Sequence, residues 1–475
     1  MSMSYTPKFS GRSYAFEFIL WIIENAKKAL LLPIPAALSM MYYYNFCVYW
    51  LPLFYLLCIL MPVASFCIYM VISSYMSNDS GYISWEKHLK IHDPELRELY
   101  KGKKIPIETM IEAYLKEKID FIDEDNMIDV LLRKNQLFRF CLTKGHLQFF
   151  FKNFLNHITG HSQVDDHREV GDVYNRSNKF YNLFLGETMV YTSGMWKHPE
   201  DTLEVAQYRK LDTIAEYIHL KEGDEHLDIG CGWGTLIRHY AKKYRTKSTG
   251  CTLAVEQVNW GLEHAKRDKI DDRLNFLCCD YREIPAKTGN KKYDKITCLE
   301  MAEHVGIKNF SPFLCQVNDM LKDDGVFYIQ IAGLRRHWHW EDLIWGLFMA
   351  RYIFPGADAS CPLAWVTSQL ERNGFEVHRV ENMGVHYAKT IEEWYKNWVR
   401  NKNEVVTLHN TWWYRLWSVF LSWSTIIARQ GSSTVFMITC HKNTRSDQCS
   451  VVKEETEGMF DRSRWIGPKP VASQQ

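Results

Sequence analysis

The sequence predicts a Rossmann-like α/β protein with a seven-stranded, mostly parallel sheet, preceded by a two-helix transmembrane hairpin. Three observations support this fold class. Apolar strands alternate with helices from about residue 171 onward, a glycine-rich turn follows the strand at 226–230, and residues 29–78 contain no Asp, Glu, Lys, Arg or His. Such alternation is typical of a parallel sheet whose crossover helices cover both of its faces.

Composition limits the class of protein. The 475 residues suffice for two or three folding units. A hydrophobic fraction of 47% is ordinary for a globular protein, and a formal net charge of +1 gives no reason to expect nucleic-acid binding. None of the 13 cysteines forms a CxxC pair, so we expect reduced thiols and no metal site.

The uncharged run 29–78 predicts the hairpin within an N-terminal segment, residues 1–78. A bilayer core takes about 20 apolar residues per helix, so the run fits spans at about 30–48 and 52–74. Basic residues flank it on both sides, which places the following domain in the cytosol. The run is too long and begins too late for a signal peptide, and it lacks the polar face of a buried helical pair.

Residues 79–170 predict a helical, membrane-proximal linker. Apolar residues recur at helical spacing in 106–122 and in 146–158. The second stretch suits either a helix on a membrane surface or a helix packed in the core. At the other end, residues 442–475 are polar and predict a disordered tail.

Residues 171–441 form the predicted α/β domain. Its strands are HLDIG (226–230), KSTGCT (247–252), LNFLCC (274–279), YDKITCL (293–299), GVFYIQI (325–331), FEVHRVE (375–381) and TVFMITCH (434–441). Gly374 follows the helical stretch LAWVTSQLERN and is expected to end that helix.

The glycine turn reads Asp228-Ile-Gly230-Cys-Gly232-Trp-Gly234. In the dinucleotide fingerprint the third glycine stands one residue later. Asp228 would repel a pyrophosphate and attract a cation. CTLAVEQ (251–257) and DYREI (280–284) follow the next two strands, so three neighbouring strand ends would serve one ligand. S-adenosylmethionine, a nucleoside with an amino group and a sulfonium, fits this turn.

Together, LDIGCGWGT, TLAVEQ and DYREI resemble the cyclopropane-fatty-acyl-phospholipid synthase family of S-adenosylmethionine-dependent methyltransferases. The runs KITCLEMAEHVG (295–306), IAGLRRHWHWEDLIWGLFM (331–349) and IFPGADAS (353–360) are similar to the sphingolipid C9-methyltransferases within it. The resemblance implies a class I methyltransferase sheet. It also implies methyl transfer to C9 of the Δ8-unsaturated sphingoid base of ceramide or glucosylceramide, through a carbocation and proton loss.

The resemblance further implies which residues hold S-adenosylmethionine. They are Asp228, Gly230, Gly232 and Gly234 at its methionine part; Thr252, Leu253 and Gln257 around the ribose; Asp280, Tyr281 and Arg282 at the adenine; and Tyr174, Tyr191 and Thr192 near the cofactor. Aromatic faces suit a sulfonium for the same electrostatic reason that they suit an ammonium group.

Methylating an isolated alkene leaves a carbocation, so the site must exclude water and remove one proton. In the wider family a bicarbonate is the base, held by Cys, Glu, His and Tyr. Glu303 and Tyr387 match the Glu and Tyr, but Ser193 stands for the Cys and Gln330 for the His. Bicarbonate is therefore doubtful here, and Glu303 could act directly as the base.

Structural roles stay open for several of these residues. Asp228 and Glu303 could be caps, Gln330 an internal sheet residue and Tyr387 a core residue. His304 is expected to be structural. The stretches 334–356 and 412–423 suit either a headgroup zone with an acyl channel or packing between helices.

The favoured interpretation is an endoplasmic-reticulum membrane enzyme with two spans, a cytosolic catalytic domain and a membrane lipid as substrate. A cyclopropane-fatty-acyl-phospholipid synthase is the first alternative, distinguished by loss of the proton from the new methyl group. A lipid-binding membrane protein with a degenerate cofactor site is the second. The sequence gives neither the oligomeric state nor the headgroup requirement.

Overall fold

The computed structural model describes residues 68–76, 81–149, 177–337, 339–354 and 361–443. Most of the predicted hairpin, Tyr174 and the tail from residue 444 lie outside these ranges. Within them, no helix is both long enough and apolar enough to cross a membrane. The hairpin and the disordered tail stay predictions.

Within residues 81–149, the region before the α/β domain contains four short strands as well as helices, so the described part of the predicted helical segment is mixed. The rest of that segment, including most of the stretch 146–158, lies outside the described residues. The strands of the described part are β1 (Leu89–Ile91), β2 (Ile105–Pro106), β3 (Ile119–Phe121) and β4 (Phe138–Arg139), and its helices are α1 (Pro94–Leu99), α2 (Ile107–Leu115), α3 (Met127–Leu131) and α4 (Lys134–Leu137). β1 pairs with β3, and β2 with β4. The helix predicted over 106–122 ends at Leu115, because Glu117 takes a left-handed φ of 60° and the chain returns as β3.

Residues 81–149 are part of the globular body rather than a linker. Tyr114 and Trp417, from opposite ends of the sequence, are fully buried in one apolar cluster. Lys134 lies 3.4 Å from Glu341 in a buried ion pair, and Arg415 donates to the carbonyl of Tyr114 at 2.7 Å. A core shared in this way makes the region a support for the α/β domain.

All seven predicted strands are present. They are β5 (Glu225–Ile229), β6 (Lys247–Thr252), β7 (Leu274–Cys278), β8 (Tyr293–Leu299), β9 (Leu321–Leu334), β10 (Phe375–Asn382) and β11 (Ser433–Lys442). Their order in the sheet is β10-β11-β9-β8-β5-β6-β7, and β11 alone runs antiparallel to its neighbours. The order reverses at β5, which lies between β6 and β8, and ligands of such sheets bind at that reversal.

Helices cover the large sheet. They are α5 (Asn178–Leu185), α6 (Leu203–Tyr217), α7 (Thr235–Lys243), α8 (Val255–Arg267), α9 (Ile284–Lys287), α10 (Ile307–Met320), α11 (Trp340–Phe348), α12 (Leu363–Arg372), α13 (Gly384–Arg400), α14 (Lys402–Leu408) and α15 (Thr411–Arg429). Gly374, at φ 81°, follows the end of α12 as predicted.

The two aromatic stretches serve packing between helices. Trp345 of α11 and Trp423 of α15 are buried in the same cluster, and the Trp423 indole donates to Glu341 at 3.2 Å. Arg335 binds both oxygens of the buried Asp342, at 2.9 and 3.1 Å. Of the two interpretations of these stretches, the described side chains therefore support packing.

Candidate active site

A cleft lies at the carboxyl ends of β5, β6, β7 and β8, and it encloses about 1150 Å³ including its open mouth. This size suits a nucleoside ligand. Ten of the predicted cofactor residues line it: Tyr191, Thr192, Asp228, Gly230, Gly232, Thr252, Leu253, Gln257, Asp280 and Tyr281. The structure therefore brings together residues that are scattered over 90 positions of the sequence.

Within the glycine turn, the three glycines have different tasks. All three have positive φ, but a β-carbon at Gly232 would meet no atom within 4 Å, so this residue faces open space. A β-carbon at Gly230 would lie 2.5 Å from the Met301 side chain, and one at Gly234 would lie 2.5 Å from the Phe276 ring. Gly234 is the N-cap of α7 and is not among the residues that line the cleft, so its contact with the cofactor stays a prediction.

Asp228 is a buried carboxyl group on the cleft wall, and a cation beside it would stabilise its charged form. Its Oδ1 accepts from Thr297 at 2.7 Å, and burial raises its pKa to about 7. Among the described residues, Lys210 is the one positively charged group that opposes this shift. Burial lowers the pKa of Lys210 itself to about 8. Lys210 donates to Thr192 at 2.6 Å. A buried carboxylate with so little compensation favours a cation beside it, which fits S-adenosylmethionine.

At the adenine end, Arg282 binds a neighbouring carboxylate. Asp280 accepts from Nε of Arg282 at 2.7 Å and from its Nη2 at 2.6 Å. Arg282 is thus held by Asp280 and does not line the cleft, unlike Tyr281 next to it. Tyr281 and Arg282 belong to a one-turn helix, Tyr281–Glu283, in which adjacent side chains point in different directions. Residues that are contiguous in a motif therefore need not all face the ligand.

An aromatic wall borders the cleft at Tyr191. Its ring centroid lies 5.8 Å from Tyr181, 5.5 Å from Phe184 and 5.3 Å from Trp394. Of these four rings, Tyr191 lines the cleft and the other three are buried behind it. The cluster excludes water, and an electron-rich ring attracts positive charge. This wall suits both a sulfonium and a cationic reaction intermediate.

Ser193 and Gln330 converge on a carboxylate that the sequence analysis overlooked. The Ser193 backbone N–H donates to Glu300 Oε1 at 2.9 Å, and Gln330 Nε2 donates to the same oxygen at 2.6 Å. Glu300 lines the cleft, whereas Ser193 and Gln330 are fully buried behind it. Gln330 is therefore more than an internal sheet residue.

Glu303 is buried and lies behind the cleft wall. One of its oxygens accepts from the Ala332 backbone N–H, while Oε2 has no hydrogen-bond partner in the described part of the chain. Burial, and to a lesser extent Glu300, raises its pKa to about 8. The helix that follows has no side-chain cap, so Glu303 does not cap it.

Tyr387 lies close to this pair of carboxylates. Burial raises the pKa of its hydroxyl group above the usual range, and Glu300 and Glu303 raise it further. The four predicted catalytic residues, including Ser193 and Gln330, thus surround Glu300, although none of the four lines the cleft itself.

Three residues of the cleft were missed or misjudged. Glu300 stands directly after β8, a position where polar residues often meet a ligand. Lys210 shares the buried face of α6 with Leu203, Ala206 and Leu211, so its helical spacing gave a usable signal. His304, expected to be structural, lines the cleft.

Known proteins resemble the chain over most of its length. The family model for mycolic acid cyclopropane synthetase matches residues 161–438. The sphingolipid C9-methyltransferase of Komagataella phaffii is 45% identical over 393 residues, which are 80% of this chain and 80% of that protein. The sphingolipid C9-methyltransferase of Candida albicans is 44% identical over 369 residues, 76% of this chain and 72% of that protein.

A solved structure agrees with these sequence matches. The mycolic acid cyclopropane synthase CmaA1, crystallised with SAH and CTAB, superposes with a TM-score of 0.55 at 25% identity. The match covers 58% of this chain and 98% of that one. The superposed part is the size of the α/β domain.

Proposed function

Because the chain belongs to the mycolic acid cyclopropane synthetase family, and within it to the sphingolipid C9-methyltransferases, we propose that it adds a methyl branch at C9 of a sphingoid base. It is an S-adenosylmethionine-dependent C-methyltransferase, and S-adenosylmethionine is its methyl donor. The observation that carries the proposal is 45% identity to a named sphingolipid C9-methyltransferase over 80% of both chains. The proposed substrate is the Δ8-unsaturated base of ceramide or glucosylceramide.

The residues of the cleft fit this donor. Gly232 leaves open space for its methionine part, Asp228 offers a negative charge, and Thr252 and Gln257 line the cleft beyond β6. When bound, S-adenosylmethionine supplies an electrophilic methyl group. Thr252 donates to Gln257 at 2.6 Å, which holds both side chains in place before a ligand arrives.

The chain then has two tasks once the alkene has accepted the methyl group. The aromatic wall around Tyr191 excludes water and stabilises the positive charge that develops on the lipid. A basic group must then remove one proton. Loss of the proton from C9 restores the double bond and gives the methyl branch, whereas loss from the new methyl group would close a cyclopropane.

A bicarbonate does not fit the residues present. The Ser193 backbone N–H and the Gln330 amide already donate to Glu300 Oε1, and the Ser193 hydroxyl donates to the Gly194 carbonyl at 3.2 Å. A further anion at these donors would lie beside the carboxylate of Glu300. Like charges at such short range in a buried site repel strongly. No step of the proposed reaction uses bicarbonate.

The substrate class is tested by competition. Membranes that contain the full-length protein receive methyl-labelled S-adenosylmethionine together with Δ8-unsaturated ceramide, Δ8-unsaturated glucosylceramide and an unsaturated phospholipid. Mass spectrometry then locates the label. We expect it on C9 of a sphingoid base; label on the phospholipid chain would favour the cyclopropane synthase alternative. Calorimetry tests the second alternative, a lipid-binding protein with a degenerate cofactor site, since such a site would not bind S-adenosylmethionine.

The proposal includes attachment to the endoplasmic-reticulum membrane by the hairpin at about 30–48 and 52–74, with the α/β domain in the cytosol. The support is the uncharged run 29–78 and the exposed apolar residues at its end, Ile68, Tyr69, Ile72 and Met76. With both flanks of the hairpin in the cytosol, the sequons at Asn78, Asn175 and Asn309 stay unglycosylated. A faster-migrating band after deglycosylation would contradict this orientation.

A further inference from the structure

Glu300 occupies a strained position on the wall of the cleft. It follows β8 directly, and its φ of 51° is a conformation that residues other than glycine rarely adopt. Its own N–H donates to the Gln330 carbonyl at 2.7 Å, which holds this conformation in place. Strain of this kind is concentrated at functional sites, where surrounding structure maintains it.

The surroundings of Glu300 favour its charged form more than those of Glu303 do. Burial raises the pKa of Glu300, but two hydrogen-bond donors and the nearby Lys210 oppose that shift. Glu303 receives only backbone donors, and its pKa rises to about 8. Two neighbouring carboxyl groups with unequal surroundings divide into one anion and one acid. Here Glu300, with two donors on one oxygen and Lys210 nearby, is the group whose charged form is the better stabilised.

The two donors also leave one oxygen of Glu300 available. Ser193 and Gln330 both bind Oε1, and no donor is recorded on Oε2 among the described residues. Glu300 lines the cleft, whereas Glu303 lies behind its wall. Of these two glutamates, Glu300 is the one that combines a stabilised carboxylate, an oxygen without a donor among the described residues, and access to the cleft.

We propose that Glu300 is the catalytic base that takes the proton from C9 of the methylated lipid. This inference rests on the proposed function. The methyl group leaves its sulfur, which keeps the electron pair, and the alkene π pair forms the new bond to C9, so that C8 becomes a carbocation. The C9–H bond then breaks, its electron pair restores the C8=C9 double bond, and the proton goes to Glu300 Oε2. A carboxylate of the chain thus performs the task that would otherwise need an added anion.

The test compares Glu300→Gln with Glu117→Gln in full-length protein in membranes. Glu117 is a matched control, because it has a similar left-handed φ of 60° but is exposed. We expect Glu300→Gln to lower kcat by about 100-fold or more, which is typical for loss of a general base. Binding of S-adenosylmethionine, measured by calorimetry, should stay within about threefold of the wild type.

A substrate carrying deuterium at C9 separates a base from a structural residue. If proton removal becomes slow in Glu300→Gln, the deuterated lipid is turned over more slowly than the ordinary lipid, and the wild type shows a smaller difference. Activity within tenfold of the wild type would overturn the proposal. So would lost activity accompanied by lost cofactor binding, or by no isotope effect.

If Glu300→Gln does not fold, a second variant tests whether Glu300 is the base. Gln330→Met removes one donor to Glu300 and so should raise the pKa of that carboxyl group. The acidic limb of the kcat/KM profile should then move to higher pH, and an unchanged limb would contradict the assignment. If the wild type forms no 9-methyl sphingolipid, the proposed function has failed; if only the variants behave as wild type, the base assignment alone has failed.

Discussion

The carboxyl group of Glu303 carries a proton at neutral pH, because burial raises its pKa to about 8. A folded-state pKa above the unfolded value means that this group stabilises the fold at low pH and loses that contribution as pH rises from about 4.5 to about 8. Glu303→Gln keeps the shape and cannot ionise. We expect its Tm to match the wild type at pH 5 and to exceed it by about 3 °C or more at pH 8.5.

Thermal unfolding of the protein without its donor, followed between pH 5 and pH 9, measures this difference. The Ala332 N–H can still donate to the amide oxygen of the variant, so the hydrogen bond is kept. A Tm difference that does not change with pH would show that Glu303 ionises normally in the fold.

The glycines of the turn give a second prediction at this scale. A β-carbon at Gly232 enters open space in the cleft, whereas one at Gly234 strikes the Phe276 ring. Both positions have positive φ, so both substitutions carry the same backbone cost, about 1 kcal/mol. Gly232→Ala should weaken S-adenosylmethionine binding by tenfold or more with a small loss of Tm. Gly234→Ala should lower Tm further.

Calorimetry for the Kd and thermal unfolding for the Tm check this pair. Equal effects of the two substitutions on Kd would show that Gly234 also faces the ligand. Sequence matching placed both glycines at the cofactor, because a motif records neighbours in the chain and not the direction in which each residue faces. The same limit explains Arg282, which binds Asp280 instead of lining the cleft.

Glu300 shows a different limit. Its sequence neighbourhood contains two glutamates, and resemblance selected Glu303, whereas only the fold reveals that Ser193 and Gln330 converge on Glu300 from 107 and 30 positions away. Long-range hydrogen bonds of this kind leave no periodic signal in a single sequence.

Among the elements, the seven strands of the large sheet were predictable and the small strands were not. Buried parallel strands read as near-continuous apolar runs bounded by turns, and the stretch VFYIQI of β9 comes close to such a run. β2 and β4 have two residues each, too few for any alternation to register. In the segment 106–122, the helical spacing of apolar residues continues past Glu117, where the chain turns. The helix predicted there was therefore too long.

The helix α15 connects the two parts of the fold, and this position predicts its importance for stability. Trp417 is 1% exposed and contacts Phe180, Phe184 and Trp398, whereas Trp412 on the same helix is 37% exposed. Trp417→Ala should destabilise the protein by about 3–5 kcal/mol. Trp412→Ala should cost about 1 kcal/mol or less.

Chemical denaturation, with cofactor absent from both samples, measures the two free energies of unfolding. Similar values for the two variants would contradict the burial of Trp417. Because the side chains lie on one helix and differ only in surroundings, helix propensity is the same in both comparisons.

At the scale of the whole molecule, residues 81–149 and the α/β domain share one core, and the cleft lies at the point where the order of the large sheet reverses. The sequence predicted the cleft from that reversal, and resemblance supplied its ligand. The sequence could not predict that the segment before the domain packs against the end of α15. That packing depends on long-range contacts such as the hydrogen bond from Lys134 to Gln430, which are 296 positions apart.

In the proposed reaction, the carbocation on the lipid loses its proton from C9, and the double bond is restored. The most direct measurement uses S-adenosylmethionine with a trideuterated methyl group and a Δ8-unsaturated sphingolipid, followed by mass spectrometry of the product. Loss of the C9 proton leaves all three deuterium atoms on the methyl branch, which is the result that we predict. A product that retains only two would show that the proton leaves the new methyl group and that a cyclopropane forms, which would contradict the account.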